Sequence, residues 1–263
     1  MSASTRALPS GRALFASEAA KSRRLRLPLV IAVCIAVGYM LSLPLRPSER
    51  ARLLEPDIWQ SLLMSYTIMN SLISPILISF VSSRLVDVEH SGRGWTFHAA
   101  QGVGIGRLCR IKFALLALLV ATGVSIQSLG FVGIVKALGC VQPLDAGVWA
   151  GYTACLIGVD LALAALHILL SAAVDNQVVS VGIGFIGSLV AFYMFLFPSG
   201  VARLLPWGYW AMISRTSMVY EGAGAARVVL VEPEWPWIAG YLILIAVVFF
   251  AVCARFDRKQ VTQ

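Results

Sequence analysis

Three groups of residues in this chain have the types and spacing for chemistry in or beside apolar helices. Asp160 and His167 stand seven residues apart in an apolar run, which puts them on one helix face about 10 Å apart. An ionisable group at membrane depth is costly and faces the bundle interior. The pair therefore suggests a proton or cation relay, or a neutral, hydrogen-bonded Asp that fixes packing. The lack of an obvious basic partner favours the second. Thr67, Asn70, Ser71 and Ser74 follow an i, i+3, i+4, i+7 pattern directly before Pro75. Such a stripe lines a substrate path or joins helices through hydrogen bonds worth about 0.6 kcal/mol each in membranes. The third group is the polar stretch from Val86 to Thr96, with Asp87, Glu89, Gly94 and Trp95, followed by Arg107, Arg110 and Lys112.

Several other chemistries are excluded. Gly102, Gly104 and Gly106 do not make a dinucleotide fingerprint, because Arg107 fills the next glycine position and no strand precedes them. The dipeptide Gly-Lys is absent, so the chain holds no P-loop, and any ATP or Mg chemistry belongs to a partner. His90, His98 and His167 are dispersed, with no HExxH and no Asp-rich motif, which argues against a metal site or a membrane enzyme. Cys34, Cys109, Cys140, Cys155 and Cys253 show no CxxC spacing and read as small apolar residues.

The elements that must position these residues are membrane spans. The 263 residues are 59% hydrophobic and 13% charged, with mean hydropathy +0.82; a soluble domain carries about twice that charge fraction. Apolar runs long enough to cross a roughly 30 Å core predict six spans, near 27–43, 58–83, 113–135, 148–173, 178–197 and 237–254. Pro75 predicts a bend in span 2, and Asp175–Gln177 a tight hairpin between spans 4 and 5. The net charge of +8 lies in short segments beside the spans rather than on an aromatic-laced face, so nucleic acid is not an expected partner.

Orientation follows from the bases. Residues 1–26, the 84–112 loop and the tail 255–263 carry 14 Lys and Arg, against seven on the other side. The positive-inside rule then places both termini and that loop in the cytoplasm. The run from Leu27 lacks a small-x-small cleavage site and reads as an uncleaved span. Residues 1–10 read as disordered, and 11–26 as an amphipathic helix on the cytoplasmic surface or an unstructured basic tail. The external segment 198–236, rich in Trp and Tyr, predicts short interfacial or re-entrant helices. Gly182, Gly184 and Gly187 predict a close packing face or dimer contact in span 5.

On the residues Glu89, Gly94, Trp95, Arg107 and Lys112, the chain resembles the ABC-2 class of transporter permeases. These carry, after their second span, an acid, a Gly-rich turn and a helix, then a basic residue and a Lys entering span 3. The order acid–Trp–Arg–Lys and the short external loops look most like lantibiotic-immunity and small multidrug or peptide permeases. The proline that many members carry before the basic residue is replaced by the Gly102–Gly106 run. The resemblance implies an all-α integral membrane protein with six transmembrane helices over 27–254, of the type V exporter kind, with an N-terminal amphipathic interfacial helix. It implies ATPase subunits as partners, a second permease copy or paralogue, and an amphipathic cargo such as an antimicrobial peptide, drug or lipid. It makes Asp87, Glu89, Gly94, Trp95, Arg107 and Lys112 the coupling residues in a bacterial cytoplasmic membrane protein that is itself no enzyme. The competing expectation is a proton-coupled secondary transporter built on Asp160 and His167.

Overall fold

The computed structural model describes residues 9–221 and 225–261, so most of the segment expected to be disordered, residues 1–8, lies outside the described residues. Among the described residues, eleven α-helices and two paired antiparallel strands follow in order. Helix α1 (Gly11–Arg24) leads into α2 (Leu27–Ser42), then the short α3 (Pro47–Ala51) and the long α4 (Ile58–Ser91). After α4 come α5 (Gly94–Ala100), α6 (Ile105–Ala137), α7 (Ala146–Ala173) and α8 (Gln177–Tyr193). Short α9 (Ser199–Ala202) and α10 (Tyr209–Met212) precede β1 (Thr216–Glu221) and β2 (Ala225–Leu230), and α11 (Trp235–Val261) is the last described element.

Among the described residues, five helices, α4, α6, α7, α8 and α11, are long and apolar enough to cross a membrane. Helices α1 and α2, bent by 56° at their junction, supply a sixth crossing if the pair counts as one span. Helix α2 alone has 16 residues, short of the roughly 20 a crossing uses. Apolar side chains left exposed, among them Phe185 and Ile186 on α8 and Ile243, Leu244 and Val247 on α11, cover faces that suit lipid. The chain is a multi-pass helical membrane protein.

Helix starts follow from their caps. Asp145 accepts from the amides of Gly147 and Val148 to open α7, and Asn176 accepts from that of Val178 to open α8. Only Val174, Asp175 and Asn176 separate those helices, the tight hairpin that the sequence predicts. Helix α4 continues through Pro75. Its 34 residues span about 50 Å, well beyond the hydrocarbon core. The expected 84–112 loop is therefore mostly helix: the last turns of α4, α5, and the first turns of α6. Two of the three glycines of span 5 pack within the chain, Gly184 against Ser79 and Gly187 against Trp207, while Gly182 faces open space.

The segment 198–236 departs from expectation. Short helical turns are present through Met212, but the all-α expectation then gives way to an antiparallel hairpin pairing Thr216 with Leu230 and Val219 with Arg227. Val219, Tyr220, Val228 and Val229 favour extended chain over helix. Arg227 also meets Asp57, 3.0 Å away at the start of α4, so the hairpin and the α3–α4 connection lie at one end of the bundle.

Candidate functional site

At the opposite end, four charges from three helices converge. Helix α1 turns the stripe Leu14, Glu18 and Ser22 inward, an i, i+4, i+8 face. Glu89 comes from the overhang of α4 and Lys112 from the second turn of α6. Glu18, Glu89 and Lys112 are all fully buried. Lys112 Nζ donates to Glu18 Oε2 (2.5 Å), Glu89 Oε1 (2.8 Å) and the Leu85 carbonyl (2.9 Å). An ammonium has three donors, and all three are used. Lys21 Nζ bridges the same acids, 2.6 Å from Glu18 Oε1 and 2.6 Å from Glu89 Oε1. Two acids and two bases balance, which permits burial that a lone charge could not survive.

Helix α5 closes over this cluster. Arg93, with φ 52°, takes a left-handed turn between α4 and α5. Gly94 then lies so close to Glu89 that a Cβ there would come within 3.0 Å of its carboxylate. Glu89 Oε2 has no hydrogen-bond partner, and His98 Nε2 stands 3.6 Å from it. Burial holds the His98 imidazole below its usual range, against the opposing pull of Glu89. Glu18, Glu89 and His98 offer three potential metal-ligand atoms within 4.8 Å of one another. Both Glu18 oxygens and one of Glu89's already accept from ammonium groups, so a metal would have to displace lysine. The donor set suits a structural ion cluster better. Beside it lies a groove of about 400 Å³, lined by Leu14, Lys21, Glu89, Gly94, Phe97 and His98.

Of the six expected coupling residues, Glu89, Gly94 and Lys112 meet here. Asp87 sits two residues from Glu89, on another face of α4, outside the cluster. The Trp95 indole donates to His90 Nδ1 at 3.2 Å, and His90 Nε2 lies 2.8 Å from the Ser171 carbonyl of α7. The same Nδ1 is 2.8 Å from Asp175. It can serve only one of the two at a time: accepting from the indole, or donating to the carboxylate when the ring carries both protons. Arg107 is held by Asp257 of α11, which accepts from its backbone amide at 3.0 Å, while its guanidinium donates to the Pro9 carbonyl. Asp257 also pairs with Arg110 at 2.9 Å. The N-terminal helix, the 84–112 segment and the end of α11 thus share one end of the molecule, as the charge count groups them.

Within the bundle, the polar stripe of α4 divides. Thr67 and Ser71 bond back to their own helix, at the carbonyls of Leu63 and Ile68. Asn70 accepts from Gln127 of α6 at 3.2 Å, and Ser74 donates to Asp160 Oδ2 at 3.3 Å. Asp160 and His167 do not converge, because His167 bonds Ser180 of α8 instead. The sequence reading missed Glu18, His98 and Gln127. Glu18 had a signal: it is the only acid in the first 48 residues, amid seven bases. Gln127 had none beyond being a lone amide in an apolar run.

No protein-family model matches this chain, and neither a curated protein nor a solved structure does.

Proposed function

We propose that this chain is the membrane-spanning subunit of an ATP-binding-cassette exporter. A separate ATPase would hold ATP and Mg, and a second copy or paralogue would complete the pathway for an amphipathic cargo. The observation that supports this most is the buried cluster of Glu18, Lys21, Glu89 and Lys112. It ties α1, the overhang of α4 and the start of α6 into one unit, with α5 seated on it. A permease driven from outside needs such a joint, because force applied by a partner at α5 must reach the spans without being lost in flexible loops. On this reading the surface around Trp95 receives the ATPase, and α4 and α6 carry the displacement inward. The membrane is the bacterial cytoplasmic one, with both termini cytoplasmic.

Affinity purification from native membranes in mild detergent tests the reading. A stoichiometric P-loop protein should accompany the chain and be lost on Trp95→Ala. A homo-oligomer with no ATPase would overturn it. The secondary-transporter reading draws on the buried Asp160, but Ser74 serves Asp160 and Ser180 serves His167. Transport that survives ATP depletion would favour it.

A further inference from the structure

Among the described residues, the interior of the bundle holds an acid with no base paired to it. Asp160 is 2% exposed, and its Oδ2 accepts from Ser74 while its Oδ1 has no hydrogen-bond partner. It borders a cavity between α2, α4, α6 and α7 whose polar lining is Asn70, Ser74, Gln127 and Asp160. Among the described residues, no Lys, Arg or His lines that cavity. The Trp210 indole N–H, itself unpartnered, also lies within reach of Asp160, but a neutral donor cannot balance a carboxylate.

We propose that this cavity is a site for a protonated amine, with Asp160 as counter-ion and Asn70, Ser74 and Gln127 supplying further oxygen acceptors. Three features select that ligand. A carboxylate at this depth is costly unless paired, and the missing charge is positive. The cavity offers about 30 Å³ to a water-sized group, more than the roughly 10–15 Å³ that one water needs, so an ammonium group fits. The remaining walls are apolar, including Ile31, Ile73, Leu77 and Val120. On the α2 side Cys34 and Ile35 are only half-buried, which leaves an alkyl chain a way toward lipid. A hydrated inorganic ion would gain nothing from those walls. The site rests on the exporter reading and gives its cargo a charge: a cationic amphipath with a primary amine.

Binding to the purified full chain in detergent tests this without any ATPase, so its failure is distinct from failure of the exporter reading. Decylammonium, decanol and sodium chloride are compared by calorimetry on wild type, Asp160→Asn, Asp160→Glu and Gln127→Leu. The expected result is binding of decylammonium at least ten-fold tighter than decanol. Asp160→Asn should remove that preference, Asp160→Glu retain part of it, and Gln127→Leu reduce it several-fold. An equal preference in Asp160→Asn, no preference in wild type, or competition by sodium at millimolar concentration would each overturn the proposal. If Asp160→Asn does not fold, the wild-type and Gln127→Leu comparisons decide.

Discussion

Lys112 and Glu18, 94 residues apart in sequence, meet in a fully buried ion pair whose Nζ–Oε2 distance is 2.5 Å. The contact closes the N-terminal helix onto the start of α6, and Glu89 completes it from α4. Removing one partner from a buried pair costs about 3–5 kcal/mol, because the other charge remains in low dielectric. Lys112→Met leaves Glu18 and Glu89 facing each other with only Lys21 between them, and should be the most destabilising single change in the cluster. Glu18→Gln with Lys112→Met should recover much of that loss, since one acid and one base leave together. Thermal unfolding in detergent, arranged as a double-mutant cycle, measures the coupling. Additive effects would show that the pair contributes nothing as a pair.

This contact also marks where the sequence stopped being informative. Five of the spans, the hairpin at Asp175 and the grouping of basic segments follow from hydropathy and charge alone, because burial in lipid leaves a long local signature. Glu89, Gly94 and Lys112 were legible through local order in one stretch. Their partner Glu18 was not, since nothing local says which helix a lone acid will meet. Gln127 failed for the same reason. The hairpin at Thr216–Leu230 was hidden by the Trp-rich segment before it, whose interfacial composition masked the β-branched run that follows.

Gly94 lies against the Glu89 carboxylate, and the preceding Arg93 occupies the left-handed region. A side chain at 94 must push α5 off the cluster, so Gly94→Ala should cost about 1–3 kcal/mol, the range for overpacking. An L-residue in the left-handed region costs about 1–2 kcal/mol, which Arg93→Gly would relieve, so that change should be near neutral or mildly stabilising. Limited proteolysis between residues 92 and 104 reads both. Faster cleavage in Gly94→Ala with unchanged cleavage in Arg93→Gly is the expected pattern. The reverse would mean that α5 is held by something other than this contact.

His98 should make the same region sensitive to acid. Burial lowers its folded value below 6.5, Lys21 and Lys112 push the same way, and Glu89 and Glu18 oppose them. Above about pH 6.5 the ring is neutral in both folded and unfolded chains and contributes no pH dependence. As pH falls below that value the unfolded state binds the proton first, so the folded state loses stability. Protection of the α5 amides, taken relative to the intrinsic exchange rate at each pH, should therefore fall from pH 7 to pH 5.5, and His98→Phe should remove that component. An unchanged slope in His98→Phe would assign the sensitivity to another group.

Topology tests whether the α1–α2 pair crosses. Asp57 pairs with Arg227 at one end of the bundle, while Glu18 and Asp257 meet Lys112, Arg107 and Arg110 at the other. These contacts define the two ends of the bundle, and the positive-inside rule gives the expectation that the second is cytoplasmic. Single cysteines placed at Ser10, Ser217 and Arg258 in a cysteine-free chain should separate under a membrane-impermeant maleimide. Intact cells should label position 217 alone, and inverted vesicles should label 10 and 258. Labelling of 10 and 217 from the same face would mean that α1 and α2 do not together make a crossing. Lys112 would then meet Glu18 only if the membrane lay elsewhere on the bundle, and the exporter reading would lose its six-span frame.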